Sequence, residues 1–392
     1  MTQTLRGRRL RPLIERRPVK LENLDGLEAA VDRLVQDMGV RPNGPGIAIA
    51  LFKPGRGLLR KGYGLADLRT RAPITPFTRF ELASLSKPFT ATAVLMLHER
   101  GALSIYDDVR KYLPELPQYE AAPMRISDML HHVSGLPDYL DLRDVPKCHR
   151  PYWTSEDYPA EFGRQRRRLP LRFPIGARYE YGNSNFMLMS VVIARVTGKP
   201  YSRFLHDEIF GPVGMANTFI YDRHESVPRK SRRLCNNALG YELKNKKWIE
   251  SWGTAPVRRE QHLEVGDGGI WSNLTDLIRW DAAIRTNKLL KPKTMKIALT
   301  PSKTRDGKTN AYGLGWEVSI DRCGNVYGFA HGGGWCGFET LYHQNPSDHH
   351  TIVLLSNGGD AADLLGLLPK LDAAIHAYAK RSVAGPRQRR FG

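Results

Sequence analysis

Ser84, Lys87, Tyr181, Asn183 and the run His331-Gly332-Gly333-Gly334 are the residues of this sequence whose types and spacing could do chemistry. Ser84-Leu85-Ser86-Lys87 opens what reads as a long buried helix, so a hydroxyl and an amine three residues apart share one helical face. That pairing is the Ser-Lys version of an activated serine: the amine takes the hydroxyl proton as the oxygen attacks a carbonyl carbon. A lysine at its reference pKa of ~10.4 is neutral in only about one molecule in 2,500 at pH 7. The chemistry therefore requires desolvation, or neighbouring donors, to lower that pKa substantially. S-x-x-K alone is a weak signal, since roughly one is expected by chance in a chain of this length. Its weight comes from Tyr181-Gly182-Asn183 and His331-Gly332-Gly333-Gly334, which follow it in that order. The glycines of the last run permit a substrate backbone or acyl group to lie close along a strand.

In this order the three elements resemble the serine β-lactamase and penicillin-binding-protein superfamily. The resemblance is to its class C-like branch of esterases, D-aminopeptidases, amide hydrolases and acyltransferases, and it extends over about residues 30 to 380. Pro45-Gly46-Ile47-Ala48-Ile49-Ala50 looks like the first strand of that family. The segment from Ile126 to Leu136, Phe173-Pro174-Ile175-Gly176, Gly266-Asp267-Gly268-Gly269-Ile270 and Tyr312-Gly313-Leu314-Gly315-Trp316 are similar to further signatures. The resemblance implies an α/β (α+β) fold, an antiparallel sheet flanked by helices with an inserted, mainly helical subdomain. It implies Ser84 as nucleophile and Lys87 as its base. Tyr181 would relay the proton to the leaving group and activate the deacylating water. Asn183 would orient Lys87 and bond the acyl substrate, and the backbone N–H groups of Ser84 and Gly334 would form an oxyanion hole.

His331-Gly332-Gly333 occupies the place of the family's Lys-Thr-Gly strand, and there is no Ser-Asp-Asn element of the class A kind. A lysine and a threonine hydroxyl would help hold the carboxylate that β-lactams and peptidoglycan stems carry. An imidazole and a glycine do not, so neutral esters or amides are the expected substrates. His331 reads either as a contact of the substrate strand or as a core histidine, and Tyr179 as a packed aromatic. The leading reading is a serine hydrolase acting on a small ester or amide. Acyl transfer, β-lactam hydrolysis and D-stereospecific peptide cleavage are its enzymatic alternatives. A binding relative without turnover is the non-enzymatic one, and the intact Ser84, Lys87, Tyr181 and Asn183 argue against it.

The 392 residues are 41% hydrophobic and 25% charged, the profile of a globular protein with ample core. No apolar run reaches the ~18 residues of a membrane helix. The first twenty residues hold six Arg and one Lys against Glu15, with no apolar stretch of a signal peptide. A cytoplasmic location is therefore expected. Cys148, Cys235, Cys323 and Cys336 lack metal-finger spacing, and read as free thiols. His349-His350 falls at a hairpin tip and does not read as a metal pair. Nothing demands a cofactor or a metal. The net charge of +19 is split among the N-terminal arm, Arg164 to Arg172, Arg229 to Arg233 and the tail. Without aromatic-basic interleaving or a nucleic-acid motif, these read as solvated faces rather than a specific nucleic-acid surface. The oligomeric state is not legible.

The positioning elements follow from periodicity. Residues 1–22 read as a basic arm, 23–385 as one catalytic unit and 386–392 as a basic tail. Within the unit, about 23–88 and 251–385 read as the α/β part and about 89–250 as the helical subdomain. Leu27 to Met38 has helical spacing, and Gly46 to Phe52 and Gly57 to Gly64 read as strands joined at Pro54-Gly55. The helix after the nucleophile should end at a left-handed Gly101. Phe338 to His343 and Thr351 to Ser356 read as a hairpin, and Ala361 to Lys380 as a closing amphipathic helix.

Overall fold

Ile47-Ala48-Ile49-Ala50-Leu51-Phe52 is buried at every position, so this strand must be covered on both faces. In the computed structural model, which describes residues 26–140, 153–220, 236–251, 262–345 and 349–383, it is. The strands of the main sheet are β1 (Ile47–Lys53), β2 (Arg56–Tyr63), β3 (Glu317–Ile320), β4 (Val326–Trp335), β5 (Phe338–Asn345) and β6 (His350–Ser356). They lie in the order β3-β4-β5-β6-β1-β2, every neighbour antiparallel. The first strand thus sits between β6 and β2.

Successive side chains of a strand point to opposite faces. Ile47, Ile49 and Leu51 pack with Leu341, Ile352 and Leu354 under α1 (Leu27–Asp37) and the long helix Leu364–Val383. Ala48, Ala50 and Phe52 face the larger core, which holds α2 (Lys87–Glu99), α3 (Asn183–Thr197) and α4 (Leu274–Arg285). The long helix is α5. Each fully buried Ile, Leu or Phe contributes about 1.5–3 kcal/mol through burial, which makes the two-sided cover the main cohesive term. The intervening segment is rich in short helices, among them Ile126–Leu130, Tyr158–Arg164 and Tyr201–Leu205.

The expected helices at Leu27 and after Ser84 are present, and Gly101 adopts φ 71 where the second one ends. One local detail differs from the reading of the sequence. Ser84 does not open the α-helix: Ala83–Ser86 form a 3-10 turn, and α2 begins at Lys87. The cause is Pro88. It has no N–H to give the Ser84 carbonyl, the α-helical bond four residues back, and the Lys87 N–H takes that carbonyl in the tighter turn instead.

A second difference concerns the hairpin. His349 is at its tip with φ 54, but His350 is a buried residue of β6 whose Nε2 lies 2.6 Å from Asp372 Oδ1 of α5. Positions 350, 352 and 354 share the face that α5 covers, so alternation carries this histidine inward. The arm 1–22, the tail 386–392, Cys148, Cys235, Arg229 to Arg233 and the hairpin residues 346–348 lie outside the described residues. Cys323 and Cys336 form no disulfide among the described residues. Arg166, Arg167 and Arg168 are exposed. Among the described residues no helix is long and apolar enough to cross a membrane, and no group of three or more His, Cys, Asp or Glu could hold a metal ion.

Candidate active site

The turn that carries Ser84 is gripped from two sides. On one, the Leu82 N–H bonds the Ile270 carbonyl at 2.8 Å, and the Ile270 N–H donates to Ser86 Oγ at 3.3 Å. On the other, Thr340 Oγ1 of β5 donates to the Leu82 carbonyl at 2.8 Å, and β4 presses against the turn at Gly333. A Cβ at Gly333 would fall 2.3 Å from the Leu82 carbonyl oxygen and 2.5 Å from Thr340 Oγ1, so only glycine permits this approach. Between the two grips Ala83 is held at φ 49, a left-handed conformation that costs energy for a residue with a Cβ. Ser84 is half-buried, while Leu85, Ser86 and Lys87 are buried.

Lys87 is 0% exposed, and its three N–H groups are all used. Nζ lies 3.0 Å from Ser84 Oγ, 2.9 Å from Asn183 Oδ1 and 3.0 Å from the Asp267 carbonyl oxygen. All three partners are neutral oxygens. Burial therefore dominates and lowers the ammonium pKa to about 8, while the more distant charges of Asp267 and Asp138 pull it back up. Neutral lysine then amounts to about one molecule in ten at pH 7.

Around this centre every partner is itself fixed. Asp138 Oδ2 accepts from both the backbone N–H and the Nδ2 of Asn183 at 3.2 Å, which sets the amide with its oxygen toward Lys87. The Asp267 carboxylate accepts from Tyr139 at 3.1 Å, and burial pushes its pKa up to about 6 against the pull of Lys87. The Tyr181 hydroxyl bonds the Ser84 side chain, and the Tyr181 ring centroid is 4.8 Å from Lys87 Nζ. The residue as a whole is 36% exposed, but burial at the hydroxyl keeps the phenol well above its ordinary pKa, so it stays protonated at neutral pH.

His132 backs the tyrosine, with ring centroids 4.3 Å apart. Its Nδ1 accepts the Gly182 N–H at 3.2 Å, so the neutral ring carries its proton on Nε2, which is buried without a partner among the described residues. Burial first, and Lys87 next, hold this imidazole neutral.

The sequence-derived candidates Ser84, Lys87, Tyr181 and Asn183 are thus brought into one hydrogen-bonded cluster, and Gly332, Gly333 and Gly334 run past it in β4. His331 is placed differently. It is 1% exposed, and both of its ring nitrogens are occupied by the protein. Nδ1 lies 2.6 Å from the Gly332 carbonyl, which can only accept, so Nδ1 carries the proton and Nε2 accepts from the Tyr312 hydroxyl at 2.9 Å. Burial lowers its pKa to about 3. The ring is a neutral strut behind the strand.

Asp138, Tyr139, His132, Asp267 and Tyr312 were not singled out from the sequence. Asp267 and Tyr312 lie inside recognised motifs, as does His132, but their roles arise only when distant segments meet.

The chain is similar to known proteins. The Beta-lactamase family model matches residues 31–376. Penicillin-binding protein 4* of Bacillus subtilis (strain 168) is 29% identical over 305 residues, covering 76% of this chain and 65% of the relative. The D-aminopeptidase of Gluconobacter oxydans (strain 621H) is 28% identical over 349 residues, covering 87% of this chain and 61% of the relative. The chain therefore spans less than two thirds of the length of these two relatives. Among solved structures, the D-amino acid amidase from Ochrobactrum anthropi SV3 superposes with a TM-score of 0.70 at 24% identity, covering 91% of this chain and 99% of that one, a likeness of fold. With the family model reaching from α1 into α5 and taking in every residue of the cluster around Lys87, the chain belongs to the beta-lactamase family.

Proposed function

We propose that the protein is a serine hydrolase that cleaves an ester or amide bond through an acyl-enzyme on Ser84. The observation that carries this reading is the set of partners of Lys87. Two of its three neighbours, the carbonyls of Asn183 and Asp267, can only accept hydrogen bonds. When the amine loses a proton, its two remaining N–H bonds stay on those carbonyls and its lone pair is left facing Ser84. The serine hydroxyl is the only one of the three partners able to donate. Deprotonation thus builds the base in the orientation it needs.

In the first half-reaction Ser84 Oγ bonds to the carbonyl carbon while its proton passes to Lys87. The carbonyl oxygen becomes an oxyanion, held by the N–H groups of Ser84 and Gly334, each worth about 3 kcal/mol. Collapse breaks the bond to the departing oxygen or nitrogen, which takes a proton from Tyr181, and Lys87 resupplies the phenol. Water, deprotonated through the same pair, then attacks the ester and frees Ser84. A raised phenol pKa suits Tyr181 to passing a proton on rather than standing as a phenolate. His331, with Tyr312, supports β4 and does not touch the substrate. The amide-cleaving relative named above and the neutral imidazole in the place of a cationic lysine favour esters and amides over β-lactams.

The test is covalent labelling with a fluorophosphonate probe, read as intact mass. The wild-type protein should gain one adduct. Ser84→Ala should gain none while keeping its circular dichroism spectrum and Tm. An adduct of equal yield on Ser84→Ala would overturn the assignment.

A further inference from the structure

The open edge of β4 ends at a carboxylate that the mechanism above does not use. β3 pairs with β4 only as far as Glu317 opposite Ala330, so His331 to Trp335 has no strand on that side among the described residues. An extended substrate can add along such an edge. Glu317 stands where the edge begins, and Gly334, the oxyanion donor, lies four residues further on, or roughly 13 Å at ~3.3 Å per residue. The Glu317 backbone also bridges to Tyr312, whose ring is edge-on to Tyr181 at 6.3 Å.

The Glu317 charge is felt at the hydroxyls of both Tyr181 and Tyr312. Its side chain is half-buried, and among the described residues it makes no hydrogen bond and no ion pair. An uncompensated carboxylate of this kind is costly unless something neutralises it.

Resting on the acyl-enzyme reading, we propose that Glu317 selects the charge of the departing group, favouring esters and amides whose leaving alcohol or amine carries a positive charge. The leaving atom takes its proton on the Tyr181 side, which is the side where Glu317 lies. A group extending from there along Gly332 and His331 runs toward the carboxylate. A cation several bonds beyond the scissile bond meets an acceptor with no competing partner among the described residues, and a carboxylate there is repelled. This goes further than the loss of the Lys-Thr pair: the subsite is inverted in sign, not merely neutral. Burial pushes the Glu317 pKa up to about 7, so the preference is strongest above that pH.

The experiment uses three phenyl butyrates with one acyl group and different para substituents: trimethylammoniomethyl, hydroxymethyl and carboxymethyl. At pH 8 the wild-type kcat/KM should favour the cationic ester over the neutral one by about tenfold or more, the scale of a charge-assisted contact, with the anionic ester slowest. In Glu317→Gln the three values should converge to within about threefold, because the isosteric amide removes only the charge.

A second measurement needs no variant. In the wild type the cationic-to-neutral ratio should grow from pH 5.5 to 8 as Glu317 ionises. Tyr181, Tyr312 and His331 face this region without titrating in that range, while Lys87 and Asp267 act on both substrates alike and cancel in the ratio. A wild-type ratio that is flat with pH, or unchanged in Glu317→Gln, overturns the proposal. If fluorophosphonate labelling of Ser84 persists in that case, the acyl-enzyme reading stands without it. If neither labelling nor ester turnover occurs, that reading fails and takes this one with it.

Discussion

Asp281 and Lys87 are both charged side chains buried in the larger core, and their surroundings differ in kind. Asp281, on α4, accepts hydrogen bonds from Tyr342 at 2.7 Å, Thr351 at 2.7 Å and Gln344 at 3.1 Å on one oxygen. Its other oxygen accepts from Arg285 Nε at 2.7 Å, an opposite charge in direct contact. Arg285 in turn donates to Thr351 at 2.6 Å, which closes the network and clamps α4 to β5 and β6. Lys87 also makes a full set of hydrogen bonds, but every one is to a neutral oxygen. Its nearest countercharges, Asp267 and Asp138, act from a distance. Hydrogen bonding is therefore complete at both centres, and only charge compensation separates them. A compensated buried charge holds structure, whereas an uncompensated one is poised to change its protonation state.

That comparison predicts opposite outcomes for two substitutions. The larger effect is kinetic. Lys87→Met should lower kcat/KM for an ester by about 10²- to 10⁴-fold, the usual worth of a general base, without lowering stability at pH 7. The sign of the stability term is set by linkage. The folded-state pKa of Lys87, about 8, lies below the unfolded value of 10.5, so the native state carries a penalty at low pH. The penalty fades as pH rises from about 8 to 10.5. Denaturant titrations at pH 7 and 10 should find the variant gaining most, relative to wild type, at pH 7. A large loss of stability at both pH values would mean that Lys87 is structural.

The smaller effect is structural. Asp281→Asn removes the countercharge of Arg285 and should cost about 3 kcal/mol of unfolding free energy, as breaking a buried ion pair does. The folded fraction should keep kcat/KM within a few-fold of wild type. A loss of activity in excess of the unfolded fraction would erase the distinction between the two centres.

The legibility of the two regions in the sequence differed for the same reason that their chemistry does. Ser84 and Lys87 are close in the chain, and local geometry brings a side-chain pair three residues apart together. Tyr181, Asn183 and Gly333 could be read because short motifs carried them in a fixed order. Asp267 acts on Lys87 through its backbone carbonyl, which no side-chain pattern reveals. Asp138 orients Asn183 and acts on Lys87 from a distance only once the fold brings them together, and Glu317 is set apart by the point at which β3 stops pairing. Of the donors to Asp281 only Arg285, four residues on, is local; Tyr342, Gln344 and Thr351 come from 61 to 70 positions away, and no nearby pattern shows them. The sequence places the start of α2 at Ser84, three residues early, because the missing N–H of Pro88 shortens the first turn before it prevents a helix.

The most direct test of the account is the pH dependence of Ser84 acylation. The second-order rate of fluorophosphonate labelling should rise tenfold per pH unit below about 8 and level off above it, following one dissociation. In Lys87→Met the residual rate should lack that step. A wild-type rate that is flat from pH 6 to 10, or that keeps rising toward 10.5, would show that Lys87 is not the desolvated base that the cluster implies.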